Sequence, residues 1–312
     1  MTVAERTALE WLLESREPAV RYLTRRDLLD EDAHDDAERI LDGPIVRTLL
    51  EGPTDVHPYK KWQGAHWRLV SLVELAVPVG EPRAVAAAES VLDWLCGAGH
   101  RRGIRVVDGL TRRCASQEGN ALAVCSRLGL ADDERVELLA RSLVEWQWPD
   151  GGWNCDLRAS GNSSSFHESC APMWGLHEYA SATGAAWARD AALRAAEMFL
   201  EKRLFRSLRT GEVLRPAYLE LHYPPYWHYD ILQGLLVLAR IGVVRDLRAG
   251  DALDELERRR RPDGRWKPGA YWWSKPGSSG SNVDVVDWGR RGPNEMITLN
   301  ALRVLRAARR EP

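Results

Sequence analysis

The feature that most constrains the fold of this 312-residue chain is a series of amphipathic helical segments that recurs along its length. Apolar residues lie three and four positions apart, the spacing that gives a helix one buried face. The segments with helical character are 4–14, 18–29, 32–50, 66–78, 84–96, 117–129, 133–147, 167–182, 187–203, 227–241, 246–259 and 294–308. We find no alternating strand pattern longer than a few residues. The sequence therefore predicts an all-α protein.

The helices come in pairs that repeat every 50–60 residues or so, a period typical of repeat architectures. In one pair, the first helix (231–242) is almost wholly apolar and the second (251–261) carries charges on one face. We expect the apolar helix inside and the charged helix outside, facing water. About six such pairs fill the chain, which is enough to close a ring. We predict a single α/α-toroid domain, (α/α)6, over residues 1–312, with an open solenoid as the alternative.

Two turns mark the register of the repeat. Pro-Asp-Gly-Gly-Trp at 149–153 is echoed by Pro-Asp-Gly-Arg-Trp at 262–266, which begins 113 residues later. Asp-Gly supplies a left-handed turn at the end of an outer helix. We expect Trp153 and Trp266 to fold back over these turns and to serve packing.

The first turn carries a recognisable motif. Gln147, Gly151 and Trp153 form Gln-x-x-x-Gly-x-Trp, which resembles the repeat motif of the squalene–hopene cyclase and protein prenyltransferase β-subunit superfamily. The second copy has Arg260 at the Gln position. Together with the helix pairing, the resemblance covers nearly the whole chain. It implies a terpenoid cyclase-like toroid whose central cavity takes a largely apolar small molecule, such as an isoprenoid.

In such a ring, every inner helix begins at the same rim, because each outer helix leads directly into the next inner one. Polar groups that converge on a concave surface are the first candidates for a site. The residues that we place in a substrate pocket at or near this rim are His66, Cys114, Glu118, His222, Tyr226, Trp227, Tyr229, Trp272, Trp273, Trp288 and Glu295. The candidate catalytic residues are Cys155, Asp156, His167, Glu168, His228 and Asp230. For each one alone, capping or packing is the competing interpretation.

The first dense cluster joins Cys155 and Asp156 to the helix start at 166–170. That helix start resembles the segment that supplies the zinc-binding His of protein prenyltransferases, which implies zinc with Cys155 and His167 as candidate ligands. The family's Asp-x-Cys element is not evident, since Cys155 directly precedes Asp156. A Cys155–His167 nucleophilic pair is an alternative, because a nearby imidazole lowers the pKa of a thiol. A third interpretation is a partly buried thiol beside a polar pocket residue.

The second cluster is the aromatic stretch 222–230. His228, Tyr229 and Asp230 could act as an acid/base set. The neighbouring rings could instead line an apolar pocket, stabilise a cation through their π faces, or plug the ring. The Gly- and Ser-rich segment 267–292, here called the lid segment, is too long for a tight turn and is predicted to fold over the rim. The alternative for this segment is a solvated loop.

Composition and missing motifs narrow the function classes. With 45 acidic and 43 basic residues the net charge is −2, which argues against a nucleic-acid-binding face. We expect no signal peptide and no transmembrane segment, and five Cys without a CxxC pattern suggest reduced thiols in the cytoplasm. Asp-x-Asp-Asp in an inner helix, Asp-Asp-x-x-Asp, a Walker loop and a dinucleotide fingerprint are all missing. A cyclase- or prenyltransferase-like protein is the main hypothesis. A non-catalytic binding or scaffold toroid and a Cys/His hydrolase or transferase are the alternatives.

Overall fold

The protein is mostly helical, which confirms the prediction of an all-α fold. The computed structural model describes residues 3–310, with 53% of residues in helices and 4% in strands. The α-helices of this part of the chain are α1 Val3–Leu13, α2 Pro18–Thr24, α3 His34–Glu38, α4 Pro44–Leu50, α5 Ala65–Glu74, α6 Pro82–Cys96, α7 Ala98–Arg101, α8 Ser116–Arg127, α9 Glu134–Glu145, α10 Phe166–Thr183, α11 Ala186–Glu201, α12 Ile231–Ile241, α13 Gly250–Arg258 and α14 Glu295–Ala307. None of these helices has an apolar stretch that could cross a lipid bilayer.

The helices differ in burial as the pairing predicts. All ten residues of α5 are buried, whereas only five of the fifteen residues of its partner α6 are. The same contrast separates α8 from α9 and α12 from α13. The more buried helices pack in chain order, α5 on α8, α8 on α10, α10 on α12 and α12 on α14. The last of them, α14, also contacts α1 and α2, so the two ends of the described chain meet.

Two predicted N-terminal helices are interrupted. The helix predicted over 18–29 is α2 followed by a π-helical turn at Arg25–Leu29. The helix predicted over 32–50 is split into α3, a 3-10 turn at Ile40–Asp42, and α4. The second split falls at Pro44, which lacks a backbone N–H and is favoured at the first position of a helix, where it begins α4.

The helix predicted over 227–241 begins later than expected, at Ile231. The carboxylate of Asp230 accepts the Gln233 backbone N–H at 3.1 Å and caps the new helix. Residues 227–230 therefore lie outside the helix, in the loop before α12.

One short β-hairpin was not predicted from the sequence. Strands β1 (Arg105–Val107) and β2 (Leu110–Arg112) pair antiparallel, with Val107 opposite Leu110. Asp108 and Gly109 between them both have positive φ, 50° and 74°. Asp-Gly is a strong signal for this two-residue turn, but the flanking strands are too short to show alternation.

Candidate functional site

A cavity lined largely by aromatic side chains lies between α5, α8, α10, α12 and α14. Its wall includes His167 and Trp174 of α10 and the rings of Tyr226, Trp227 and Tyr229 from the loop before α12. The volume of the cavity that water can reach is about 60 Å³. At about 10–15 Å³ for each water, this is room for a few water molecules. We call this space the aromatic cavity.

Two residues in the wall of the aromatic cavity, Trp227 and His228, belong to a stack of three rings. The imidazole of His228 lies between Trp227 and Trp272, with ring centroids 3.8 Å and 3.9 Å away. Burial lowers the pKa of His228 to about 3, so its imidazole is uncharged at neutral pH. Because Trp272 belongs to the lid segment, this stack joins the lid segment to the loop before α12.

A second contact ties the lid segment to the chain before α5. Trp62 stacks on Tyr226 with centroids 3.8 Å apart, and its indole N–H donates to the carbonyl of Trp272 at 2.8 Å. The hydroxyl of Tyr226 donates to the carboxylate of Asp284 in the lid segment. Burial raises the pKa of Asp284 to about 7. Trp62 and Asp284 were not among the predicted site residues, because both lie in irregular segments where no periodic pattern indicates which side chains are buried.

Two further tryptophans of the lid segment are buried. Trp273 is 3% exposed and Trp288 is 7% exposed. The indole N–H of Trp273 donates to the carbonyl of Tyr223 at 3.2 Å, and that of Trp288 donates to Asp284 at 2.9 Å. A fully solvated loop would leave these rings in water, so this alternative does not describe the segment.

The three residues predicted as an acid/base set, His228, Tyr229 and Asp230, have different hydrogen-bonding surroundings. The carboxylate of Asp230 lies 2.7 Å from Nδ1 of His222 and also accepts the His222 backbone N–H at 2.9 Å. It caps α12 at the same time. His228 instead has a buried Nδ1 without a hydrogen-bond partner among the described residues. Asp230 thus holds His222 in place, and Tyr229 donates its hydroxyl to the carbonyl of Leu204 at 2.8 Å.

Beside this cavity, three ligand-type side chains from different segments converge. The sulfurs of Cys114 and Cys155 and a carboxylate oxygen of Glu168 all lie within 4.8 Å of one another. Glu168 accepts from the backbone N–H and the hydroxyl of Ser116 at 3.1 Å and 2.8 Å, and from the thiol of Cys155 at 3.5 Å. Burial raises the pKa of Glu168. The hydrogen bond between the thiols raises the pKa of Cys155 and lowers that of Cys114.

His167 is not part of this group. Its Nδ1 accepts the backbone N–H of Tyr229 at 2.9 Å, and its ring packs against Trp227. Successive helical residues point about 100° apart, so Glu168 faces α8 while His167 faces the loop before α12. Burial lowers the pKa of His167 to about 4. The pairing of Cys155 with His167, expected both for a metal and for a nucleophile, is replaced by the pairing of Cys155 with Cys114 and Glu168.

Asp156 also lies apart from the group. Its carboxylate contacts Arg158 at 2.7 Å, and both side chains reach solvent. Hydrogen bonds from Arg158 lower the pKa of Asp156 to about 2. This local pair turns the chain after Cys155 and does not place a carboxylate beside the thiols.

The remaining rim residues have separate surroundings. Glu118 contacts His100 at 3.0 Å and Arg113 at 2.8 Å, and Glu295 accepts from the hydroxyl of Ser15 at 2.9 Å. Both ring nitrogens of His66 are buried without a hydrogen-bond partner in the described part of the chain, and burial lowers its pKa to about 3. None of His66, Glu118 and Glu295 lines the aromatic cavity.

An ion pair forms the opposite end of the aromatic cavity. Glu74 at the end of α5 contacts Arg240 near the end of α12 at 2.8 Å. On its far side lies an open polar pocket of about 680 Å³ with Arg127, Arg303 and Arg306 in its wall. This ion pair was not predictable from the sequence, since its partners are 166 residues apart.

Comparison with known proteins adds no assignment: no protein-family model and no curated protein matches the chain.

Proposed function

We propose that the chain is a closed α/α-toroid, similar to terpenoid cyclases and protein prenyltransferases, whose aromatic cavity binds a largely apolar small molecule. The observation that carries this proposal is the convergence of aromatic side chains from α10 and the loop before α12 on one space, with Trp272 of the lid segment stacked on His228 of its wall. Large aromatic rings at the wall of a concave site are typical of pockets for apolar ligands.

Three structural observations support ring closure. The buried helices pack in chain order, and α14 contacts both α1 and α2. The second repeat turn also packs against the N-terminal helix: a Cβ added to Gly264 would lie 2.0 Å from the carbonyl oxygen of Ala4. In the first repeat turn, Gly151 packs in the same way on the carbonyl of Arg194 in α11. Helix α1 would thus take the place of the next outer helix.

The chemistry of the wall defines the proposed ligand. The rings of Trp174, Tyr226 and Trp227 would contact an apolar chain, and their π faces would also favour a cationic centre. The imidazoles of His167 and His228 are uncharged at neutral pH and supply no proton there. Protonation of the ligand by these residues is therefore disfavoured, and the proposal assigns binding without a specified reaction.

Binding an isoprenoid chain requires the cavity to enlarge. The present space holds only a few water molecules. Trp272 is the stacked ring that comes from the lid segment, so its departure from His228 would open the cavity without unfolding a helix. We propose that the lid segment moves with Trp272 when the ligand enters.

A non-catalytic scaffold is the second candidate function. The observation that favours it is the stack of Trp227, His228 and Trp272, which packs two wall residues of the cavity against the lid segment. In that case the aromatic residues serve packing between helices, and no apolar ligand enters.

Titration with farnesol tests the proposal, with geraniol and geranylgeraniol as shorter and longer probes and intrinsic Trp fluorescence as the readout. We expect saturable binding to the wild type. Ala171→Phe places a ring in the cavity wall and should weaken binding by about tenfold or more. The matched control is Ala182→Phe at an exposed position of the same helix, which should bind as the wild type does. A wild-type protein that shows no saturable response to any of the three alcohols would refute cavity binding and support the scaffold.

A further inference from the structure

A second site lies where Cys114, Cys155 and Glu168 meet, and we propose that it binds one thiophilic divalent cation, with Zn²⁺ the metal that best suits these donors. The site stands apart from the proposed function, because it uses none of the residues that line the aromatic cavity. It also differs from the pair of Cys155 and His167 that the sequence suggested.

The first argument is geometric. Cys114 comes from the turn before α8, Cys155 from the loop after α9, and Glu168 from the first turn of α10. Their ligand atoms lie within 4.8 Å of one another. Ligands bound to a tetrahedral zinc ion at about 2.0–2.3 Å are about 3–4 Å apart, so small side-chain rotations would complete the set. Three segments separated in sequence have no local reason to bring two thiols and a carboxylate together.

The second argument is electrostatic. Glu168 is 8% exposed, and none of the ion pairs among the described residues involves it. Its partners are uncharged: the backbone and hydroxyl of Ser116 and the thiol of Cys155. The nearby Arg113 pairs with Glu118 instead. A buried carboxylate without a cation is costly, and a bound dication would compensate it and favour loss of the thiol protons.

The third argument is the support around the ligands. Ser116 holds one oxygen of Glu168 with two hydrogen bonds, which leaves the other oxygen directed at Cys155. Such hydrogen bonds from surrounding residues orient metal-binding carboxylates. Within residues 3–310 no fourth His, Cys, Asp or Glu joins this group. A metal with three protein ligands keeps one position for water or for another molecule.

The binding reaction has a defined balance. Cys114 and Cys155 each give up a thiol proton to solvent as a metal–sulfur bond forms, and Glu168 binds as a carboxylate. No electron is transferred. Metal uptake should therefore release about two protons per ion and weaken as the pH falls.

The test uses the full chain, purified without a metal-binding tag under reducing conditions and treated with a chelator. Titration with Co²⁺ should produce a thiolate-to-cobalt charge-transfer band that saturates at one equivalent, and Zn²⁺ should abolish it. Cys114→Ser, Cys155→Ser and Glu168→Gln should each weaken Zn²⁺ binding by about 100-fold or more in competition with a chromophoric chelator. Cys96→Ser is the matched control, because Cys96 is also half-buried but lies outside the group.

The stability of the wild type gives a reading that does not depend on the variants folding. A saturating concentration of Zn²⁺ at about 100 times the Kd should raise the unfolding free energy by about 2.7 kcal/mol. Far-UV circular dichroism shows which variants keep the helical fold.

Absence of the charge-transfer band in the reduced wild type, or equal zinc binding by Cys155→Ser and wild type, would refute the site. A mass lower by two hydrogens after purification without reductant, with no zinc bound on reduction, would identify the cysteines as a disulfide pair instead. Farnesol binding should persist in Cys155→Ser, so failure here would be distinguishable from failure of the cavity proposal.

Discussion

The two repeat turns, 147–153 and 260–266, share one set of contacts. The indole N–H of Trp153 donates to the carbonyl of Leu143 at 2.9 Å, and that of Trp266 donates to Leu256 at 2.8 Å. Both rings are at most 1% exposed, which confirms the predicted packing role. In both turns, a buried Trp therefore hydrogen-bonds to a backbone carbonyl of the helix that precedes it, α9 or α13.

The turns also share a hydroxyl group and a glycine. The backbone N–H of Trp153 donates to Ser169 at 2.9 Å, and that of Trp266 donates to Thr298 at 3.1 Å. Gly151 and Gly264 have positive φ, 92° and 78°. Each hydroxyl lies in the helix that follows, so these contacts link each turn to the next buried helix.

The difference lies at the first position. Gln147 donates to the carbonyls of Gly151 at 2.7 Å and Ala191 at 2.9 Å, and so links the turn to α11. Arg260 has a buried Nε and a buried Nη2 without hydrogen-bond partners among the described residues. Its guanidinium lies 5.5 Å from the centre of the Trp266 ring. The comparison indicates that Trp, Gly and the hydroxyl are the required parts, and that Gln adds a replaceable link.

The largest effect is expected from removing either Trp. Trp153→Ala and Trp266→Ala should each lower the free energy of unfolding by about 3–5 kcal/mol, because each leaves a large cavity and unpaired carbonyls. Chemical denaturation monitored by circular dichroism measures the loss. The half-buried Trp187 of α11 is the control, and Trp187→Ala should cost distinctly less. Losses of similar size at all three positions would show that these Trp residues have no special role in the turns.

The glycines should have the next largest effect. A Cβ at Gly151 would lie 2.3 Å from the Arg194 carbonyl oxygen, and one at Gly264 would lie 2.0 Å from that of Ala4. Gly→Ala at either position should cost about 2–4 kcal/mol from strain and steric clash. Gly184 has a similar φ of 75° but no neighbour within 4 Å, so Gly184→Ala should cost about 1 kcal/mol from φ alone. If Gly264→Ala costs no more than Gly184→Ala, α1 does not pack against the second turn.

Removing the hydroxyl group of Ser169 or Thr298 should lower the free energy of unfolding by a smaller amount, and by the same amount in the two turns. Ser169→Ala and Thr298→Val should each cost about 1–2 kcal/mol, because the Trp backbone N–H loses its acceptor in a buried place. Thermal and chemical unfolding measure the change, with the exposed Ser181→Ala as a control that should stay within about 0.5 kcal/mol of wild type. If only one of these two substitutions lowers the free energy of unfolding, the hydroxyl contact is not equivalent in the two turns.

The smallest effects should have opposite signs. Gln147→Ala should cost about 1 kcal/mol, because it removes hydrogen bonds to two carbonyls. Arg260→Gln should gain about 0.5–1 kcal/mol, since it removes unpaired buried donors and lets the amide reach the Gly264 carbonyl. Denaturant midpoints of the two variants measured side by side check the signs. A loss of stability in Arg260→Gln would mean that the Arg contact with Trp266 is itself stabilising.

The helical spacing, the pairing of helices and the two turns were predictable from the sequence, because they depend on residues within a few turns of one another. Periodicity locates a buried face directly, and Asp-Gly before Trp identifies the end of an outer helix. Where a local capping residue competes with periodicity, as Asp230 does, the predicted boundary was wrong by several residues.

The partners of the polar residues were decided only by the tertiary structure. His167 and Glu168 are adjacent in sequence, yet one contacts Tyr229 and the other contacts Ser116 and Cys155. A helix turns about 100° per residue, so adjacent side chains face different neighbours, and the packing of α10 between α8 and α12 selects them. The sequence by itself determined the number and approximate position of the buried helices, because that depends on periodicity within each segment. Only the packing of the helices determined which of their residues meet, because that choice depends on the orientation of segments far apart in the chain.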